Sequence, residues 1–164
     1  MCDGKKGRIE NLLRLYFNDK LSTKYRIEQR RSKQNYHPRG VDYQSGSSIN
    51  KKEKSVSSEI ENFCSTKDES AQKASFLKLL IDDIEDSLQT FSEEEYKILK
   101  FTYGSKKNLT DQDIASNLSV SFWTVRKRRK QLIDELTELI NIDYYISNAI
   151  ADLSGFFHEL VSNE

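Results

Sequence analysis

Five consecutive cations, Arg126-Lys127-Arg128-Arg129-Lys130, follow directly on Ser121-Phe122-Trp123-Thr124-Val125. Guanidinium and ammonium groups packed this densely are suited to holding a polyanion, because each one neutralises a phosphate and releases its counterion. An arginine that reaches a base edge also reads sequence, and its bidentate contact with guanine is the commonest specific one. On its own, a basic run on a helix is ordinarily just a solvated face. Here it sits in a context that favours nucleic acid: a short capped helix and a tight turn come immediately before it.

That context is Leu109-Thr110-Asp111-Gln112-Asp113-Ile114-Ala115-Ser116-Asn117-Leu118-Ser119-Val120. Thr110 is a good helix N-cap, with Asp113 three residues on and a second acid, Asp111, in the first turn. The helix lasts barely two turns, with Ile114, Ala115 and Leu118 inward and Ala115 small enough for another helix to cross closely. Leu118-Ser119-Val120 makes the turn, with Val120 plugging the core. Ser121 caps a second helix whose Val125, Leu132, Leu136 and Leu139 face inward. Two short-linked helices of this pattern predict a helix-turn-helix over about residues 110–140. In that geometry the start of the second helix points into the major groove of double-stranded DNA. The expected interface is Thr110, Ser121, Phe122, Trp123, Thr124, Arg126, Lys127, Arg128, Arg129 and Lys130. Arg126 and Lys127 are placed for base edges, while Arg128, Arg129, Lys130 and Thr124 are placed for phosphates. Phe122 and Trp123 suit thymine methyls or sugars, with the alternative that at least one packs on the preceding helix.

Leu109–Val125 resembles the helix-turn-helix of sigma-factor region 4 and of response-regulator output domains. The shared pattern Thr-x-x-x-Ile-Ala-x-x-Leu-x-Val-Ser-x-x-Thr-Val stands here at Thr110, Ile114, Ala115, Leu118, Val120, Ser121, Thr124 and Val125. The wider layout is similar to that of phage transcriptional regulators of the RinA and ArpU type. Those have a basic N-terminal helix, a Gly/Ser linker, a central helix and a region-4-like motif. Gly46-Ser47-Ser48 ahead of Ser55-Val56-Ser57-Ser58-Glu59 marks the corresponding junction. The helix after Asn141 has no counterpart in that layout, and no region-2-like segment is evident. The resemblance implies a phage or prophage transcription activator.

The rest of the chain reads as mainly α: six glycines and one proline in 164 residues leave few turns for a sheet. Residues 1–35 are expected to form a basic N-terminal helical arm, with Ile9, Leu12, Leu13 and Tyr16 as its apolar stripe and a break at Asn18-Asp19 or Ser22-Thr23. Residues 36–56 read as a flexible linker. Residues 57–140 read as the helical DNA-binding domain. Its central helix carries Ala74, Leu77, Leu80, Ile81, Ile84 and Leu88 at helical spacing. Ser92 and Glu95 form a capping box that opens another helix, with Tyr96, Leu99 and Tyr103 inward, ending near Gly104. Residues 141–164 read as an amphipathic helix for packing or oligomerisation.

Equal numbers of cations and anions, 26 of each, hide an alternation of blocks. Net charge is +8 over residues 1–54, −6 over 55–100, +5 over 101–130 and −7 over 131–164. Screening confines a partner's view to roughly 10 Å, so these blocks act separately. Arg26, Arg30, Arg31 and Lys33, alternating with tyrosines, are a candidate accessory DNA arm, against the plainer reading of a solvated or acid-docked helix. The acidic last block is expected to face away from DNA. No P-loop, dinucleotide fingerprint or HExxH occurs, and His37 and His158 have no ligand or triad spacing. Acid clusters such as Asp82-Asp83 and Glu93–Glu95 read as solvated helix faces. The expectation is no enzyme, no cofactor and no metal. Cys2 and Cys64 read as thiols of a reducing cytosol, Cys64 half-buried on a helix. No apolar window is long enough for a membrane. The expected function is a cytoplasmic, sequence-specific regulator of transcription that binds DNA as a monomer or homo-oligomer, with RNA polymerase as a further partner. Two alternatives are a phage DNA-packaging subunit of the small-terminase kind and an adaptor that uses its region-4-like domain on RNA polymerase.

Overall fold

A computed structural model describes residues 3–35, 49–104 and 109–147. His37, Pro38, the Gly/Ser stretch, Cys2 and all of the expected last helix beyond residue 147 lie outside the described residues. The fold is mainly α. The described residues form seven helices and no strand: α1 (Asp3–Phe17), α2 (Lys20–Lys33), α3 (Ile49–Gln89), α4 (Glu93–Tyr103), α5 (Asp111–Leu118), α6 (Phe122–Leu139) and α7 (Ile142–Ser147). No helix among them is long and apolar enough to cross a membrane.

The chain divides into two compact units, one of Met1–Thr23 with Leu79–Glu164 and one of Lys24–Lys78. This division differs from the one that composition suggests: α1 shares a unit with α4, α5 and α6, so it is not an arm ahead of a linker. The apolar stripe of α1 explains this. Ile9, Leu12 and Leu13 are fully or almost fully buried, and so is Leu15, which the stripe did not include. Each such side chain is worth about 1.5–3 kcal/mol on burial, too much to leave in water. In the first unit α6 packs against α1, α4 and α5, and α4 also packs against α1 and α5. Ile84, Ile98, Leu99, Ile114, Val125 and Leu136 lie at zero exposure in this core.

Local signals set the helix ends. α1 stops at Asn18 and Asp19, where Asp19 takes a left-handed φ of 57°. The Asn18 amide donates to the carbonyls of Arg14 at 2.8 Å and Tyr103 at 3.2 Å, satisfying two helix C-terminal acceptors at once. Gly104 caps α4. A Cβ there would stand 2.8 Å from both the Lys100 carbonyl oxygen and the Phe17 Cβ, so only glycine lets the ends of α1 and α4 meet. The capping box at α4 forms as its spacing predicts: the Glu95 N–H donates to the Ser92 hydroxyl at 3.3 Å, and the Ser92 N–H to the Glu95 carboxylate at 2.9 Å. Ile98 joins Leu99 and Tyr103 as a buried residue of α4, and Tyr96 is only half-buried. α7 is held by Tyr145, whose hydroxyl donates to Asp83, and by a surface ion pair between Asp143 and Lys5. Burial, then Asp83, pushes the Tyr145 phenol well above its ordinary pKa.

In the second unit, Lys24–Lys33 of α2 and Ile49–Lys78 of α3 are described. Helix α3 begins at Ile49, inside the segment whose composition reads as linker. Lys51-Lys52-Glu53-Lys54 are good helix formers, and propensity carries the helix through where apolar periodicity is thin. Ser70, Ala74 and Leu77 are its buried positions here, while Ile60 is exposed. Cys64 is exposed, not half-buried, because it lies one residue beyond Phe63 and off the inward stripe.

Candidate nucleic-acid interface

The α5–turn–α6 segment is built almost wholly from short-range instructions. Thr110 is extended (φ −74°, ψ 159°) and caps α5 with a capping box. Its hydroxyl accepts from the Asp113 N–H at 3.3 Å and donates to the Asp113 carboxylate at 2.7 Å, and the Thr110 N–H donates to the same carboxylate at 2.9 Å. These bonds, the side-chain one first, hold the Asp113 carboxyl below its usual pKa. Ser119 ends α5 in the left-handed region (φ 55°, ψ 37°), and its N–H reaches the Ala115 and Ser116 carbonyls. Val120 donates to the Ala115 carbonyl at 3.1 Å, so one carbonyl anchors both turn residues. Ser121 then caps α6, accepting from the Thr124 N–H at 3.1 Å.

Ile114 and Ala115 are buried as the pattern predicts, whereas Leu118 and Val120 are half-buried at the rim. Val125, Leu132 and Leu136 are buried, and so is Ile133. Leu139 is half exposed instead of inward. It is the last residue of α6, and the buried place passes to Ile140, which turns extended at the C-cap (φ −92°, ψ 107°).

The ten expected interface residues separate into three groups. Phe122, Trp123, Arg126, Lys127 and Lys130 are exposed on α6. Trp123 has 71% of its surface open, against 37% for Phe122, and the two rings meet edge to face at 5.5 Å. The second group is Thr110, Ser121 and Thr124, whose hydroxyls serve the caps. Those of Ser121 and Thr124 lie 2.7 Å apart, so they start a helix before they can meet a phosphate. The third group is Arg128 and Arg129, which turn toward acids of the same unit. Arg129 pairs with Asp111 in the first turn of α5, where both are largely covered. Arg128 lies 3.7 Å from Glu94 of α4 in a more exposed pair.

Arg129 is therefore a bracing residue between α5 and α6, and helix geometry is the reason. Arg129 stands four residues after Val125 and three before Leu132, on the inward stripe of α6. That spacing was visible in the sequence. Its partner Asp111, like the Glu94 that faces Arg128, was not, because only packing brings these acids to α6. Replacing Arg129 by alanine is expected to cost about 1 kcal/mol of stability, the ordinary scale for a partly exposed pair. Thermal unfolding should register this change.

Behind α6, the Tyr103 hydroxyl donates to Glu10 of α1 at 3.0 Å, and the Arg14 guanidinium lies 5.9 Å from the centre of the Tyr103 ring. Burial, then Glu10, raises the Tyr103 pKa well above the ordinary tyrosine value. The phenol stays protonated, and its bond to Glu10 fastens α1 to α4.

Arg26, Arg30, Arg31 and Lys33 belong to the second unit. All four are exposed on α2, and Arg31 donates to Glu28 at 3.1 Å. Among the described residues, no group of three or more His, Cys, Asp or Glu is placed to hold a metal ion. No family model, curated protein or solved structure matches this chain.

Proposed function

We propose that the protein is a sequence-specific DNA-binding regulator of transcription that inserts the start of α6 into the major groove. The observation that carries this reading is the outward face of α6. Arg126, Lys127 and Lys130 are exposed there together with Trp123, at the start of a helix held by a tight turn against a shorter one. The first turn of α6 contains no acid, unlike the first turns of α4 and α5. Its positive dipole end is left uncompensated, which favours an approaching phosphate. In this reading Arg126 and Lys127 contact base edges, and Trp123 lies against sugars or thymine methyls. The phage or prophage setting, the activator role and a cytoplasmic site of action are proposed from the order of segments along the chain.

A second reading has one observation in its favour. A tryptophan as open as Trp123 is also the kind of side chain that anchors protein interfaces. On that reading the same face docks on RNA polymerase.

Selection of bound duplexes from a random DNA library with the full chain distinguishes the two. Regulation by base reading predicts enrichment of one motif, and the selected duplex should bind at least 10³-fold more tightly than random duplex, the lower end of what specific regulators reach. Failure to enrich any motif, combined with polymerase capture that depends on Trp123, would decide for the adaptor.

A further inference from the structure

The first turns of α1 face the middle of α6 across an open groove of about 440 Å³. Lys6 and Glu10 line it on one side, and Arg126, Arg129, Lys130 and Asp134 on the other. Four cations thus meet two carboxylates, of which Asp134 is ion-paired and Glu10 keeps its charge beside a neutral phenol. Lys6 pairs with Asp134 at 2.5 Å, Arg129 with Asp111, and Glu10 accepts from Tyr103. Arg126 and Lys130, one helical turn apart, have no ion pair among the described residues, so the positive excess of the groove falls on them. Both also belong to the exposed face of α6, which makes the groove a lateral continuation of that face.

We propose that this groove seats a phosphate of the DNA backbone, held by Lys130 and Lys6 beside Arg126. The assignment rests on the DNA reading above and extends it to α1, which no motif pointed to. The donors here are long, solvated side chains, which suit a polyanion bound through counterion release. Asp134 acts as a competitor: its carboxylate occupies Lys6 until a phosphate displaces it.

The test is fluorescence anisotropy of the full chain on a selected and a random 20-bp duplex between 50 and 200 mM salt, with circular dichroism to show that each variant is folded. Lys6→Ala and Lys130→Ala are each expected to lower the slope of log K against log salt, and combined they should lower it by about 0.9, the share of one phosphate, so that the affinity lost across that salt range shrinks about 3.5-fold. Both duplexes should respond alike, because a phosphate carries no sequence. Gly7→Asp places a carboxylate at the groove where a Cβ meets nothing within 4 Å, and it should weaken binding without unfolding the chain. Asp134→Asn should strengthen binding, which loss of a merely structural ion pair would not do. Unchanged slopes in both lysine variants, with binding still lost in Lys127→Ala, would overturn the groove and leave the DNA reading standing. No duplex bound by the parent chain at any salt would overturn both. Sodium pyrophosphate added without DNA separates the sources: if it saturates the groove below millimolar concentration while the slopes stay unchanged, the ligand is a free anion and the backbone assignment fails.

Discussion

Alanine at both Arg126 and Lys127 is expected to cut discrimination between the selected and random duplexes sharply while leaving thermal unfolding in place. Each good base contact contributes about 1–3 kcal/mol of discrimination. Losing two therefore costs about 2–6 kcal/mol, or from about 30-fold to 10⁴-fold in the affinity ratio. Stability should hold because both side chains are exposed, and neither has an ion pair among the described residues. Competition titration with the two duplexes reads the ratio directly. A double variant that kept its full ratio would move base reading away from these two residues, and Trp123 would become the next one to replace.

A second large effect is expected from Ala115→Leu. Ala115 is 5% exposed on α5, which packs on α6 and α4, and its carbonyl anchors the turn through Ser119 and Val120. Three added carbons have nowhere to go without moving α5 away. Overpacking of this kind costs about 1–3 kcal/mol, which for a chain of this size lowers the unfolding midpoint by roughly 2–12 °C. DNA affinity should fall with it, because a displaced α5 also shifts Asp111 away from Arg129 and frees α6 to rotate. Ala115→Ser, nearly the same volume, serves as the control and should retain binding. If leucine were accepted with no change in midpoint, the crossing of the two helices would not be set by Ala115.

Wherever a few neighbouring residues decide the outcome, the sequence could be read closely. Thr110 with Asp113, Ser92 with Glu95, and Ser121 ahead of a helical stripe each start a helix by bonds spanning three residues, and those helices begin at the expected positions. The mainly α class follows from the same local periodicity. What could not be read depends on distant packing. Nothing near Arg129 names Asp111, and nothing near Lys6 names Asp134. The burial of Leu15 beside Ile9, Leu12 and Leu13 belongs to a helix enclosed by neighbours, which a single-face stripe does not describe. The start of α3 at Ile49 was hidden for the opposite reason. Its first turns carry lysine and serine with little apolar content, and propensity alone gives a weak signal against composition that resembles a linker.

The division of the basic run between an outward and an inward face restricts how this protein can drift. On the phosphate reading above, charge is all that Lys130 is asked to supply, so arginine should serve equally well there. Arg129 is under a different rule. Its guanidinium meets the carboxylate of Asp111 in a largely covered position, and a lysine would bring a more strongly hydrated charge there. Five adjacent cations that look interchangeable on paper thus answer to different surroundings, the outward ones to solvent and Arg129 to a neighbouring helix.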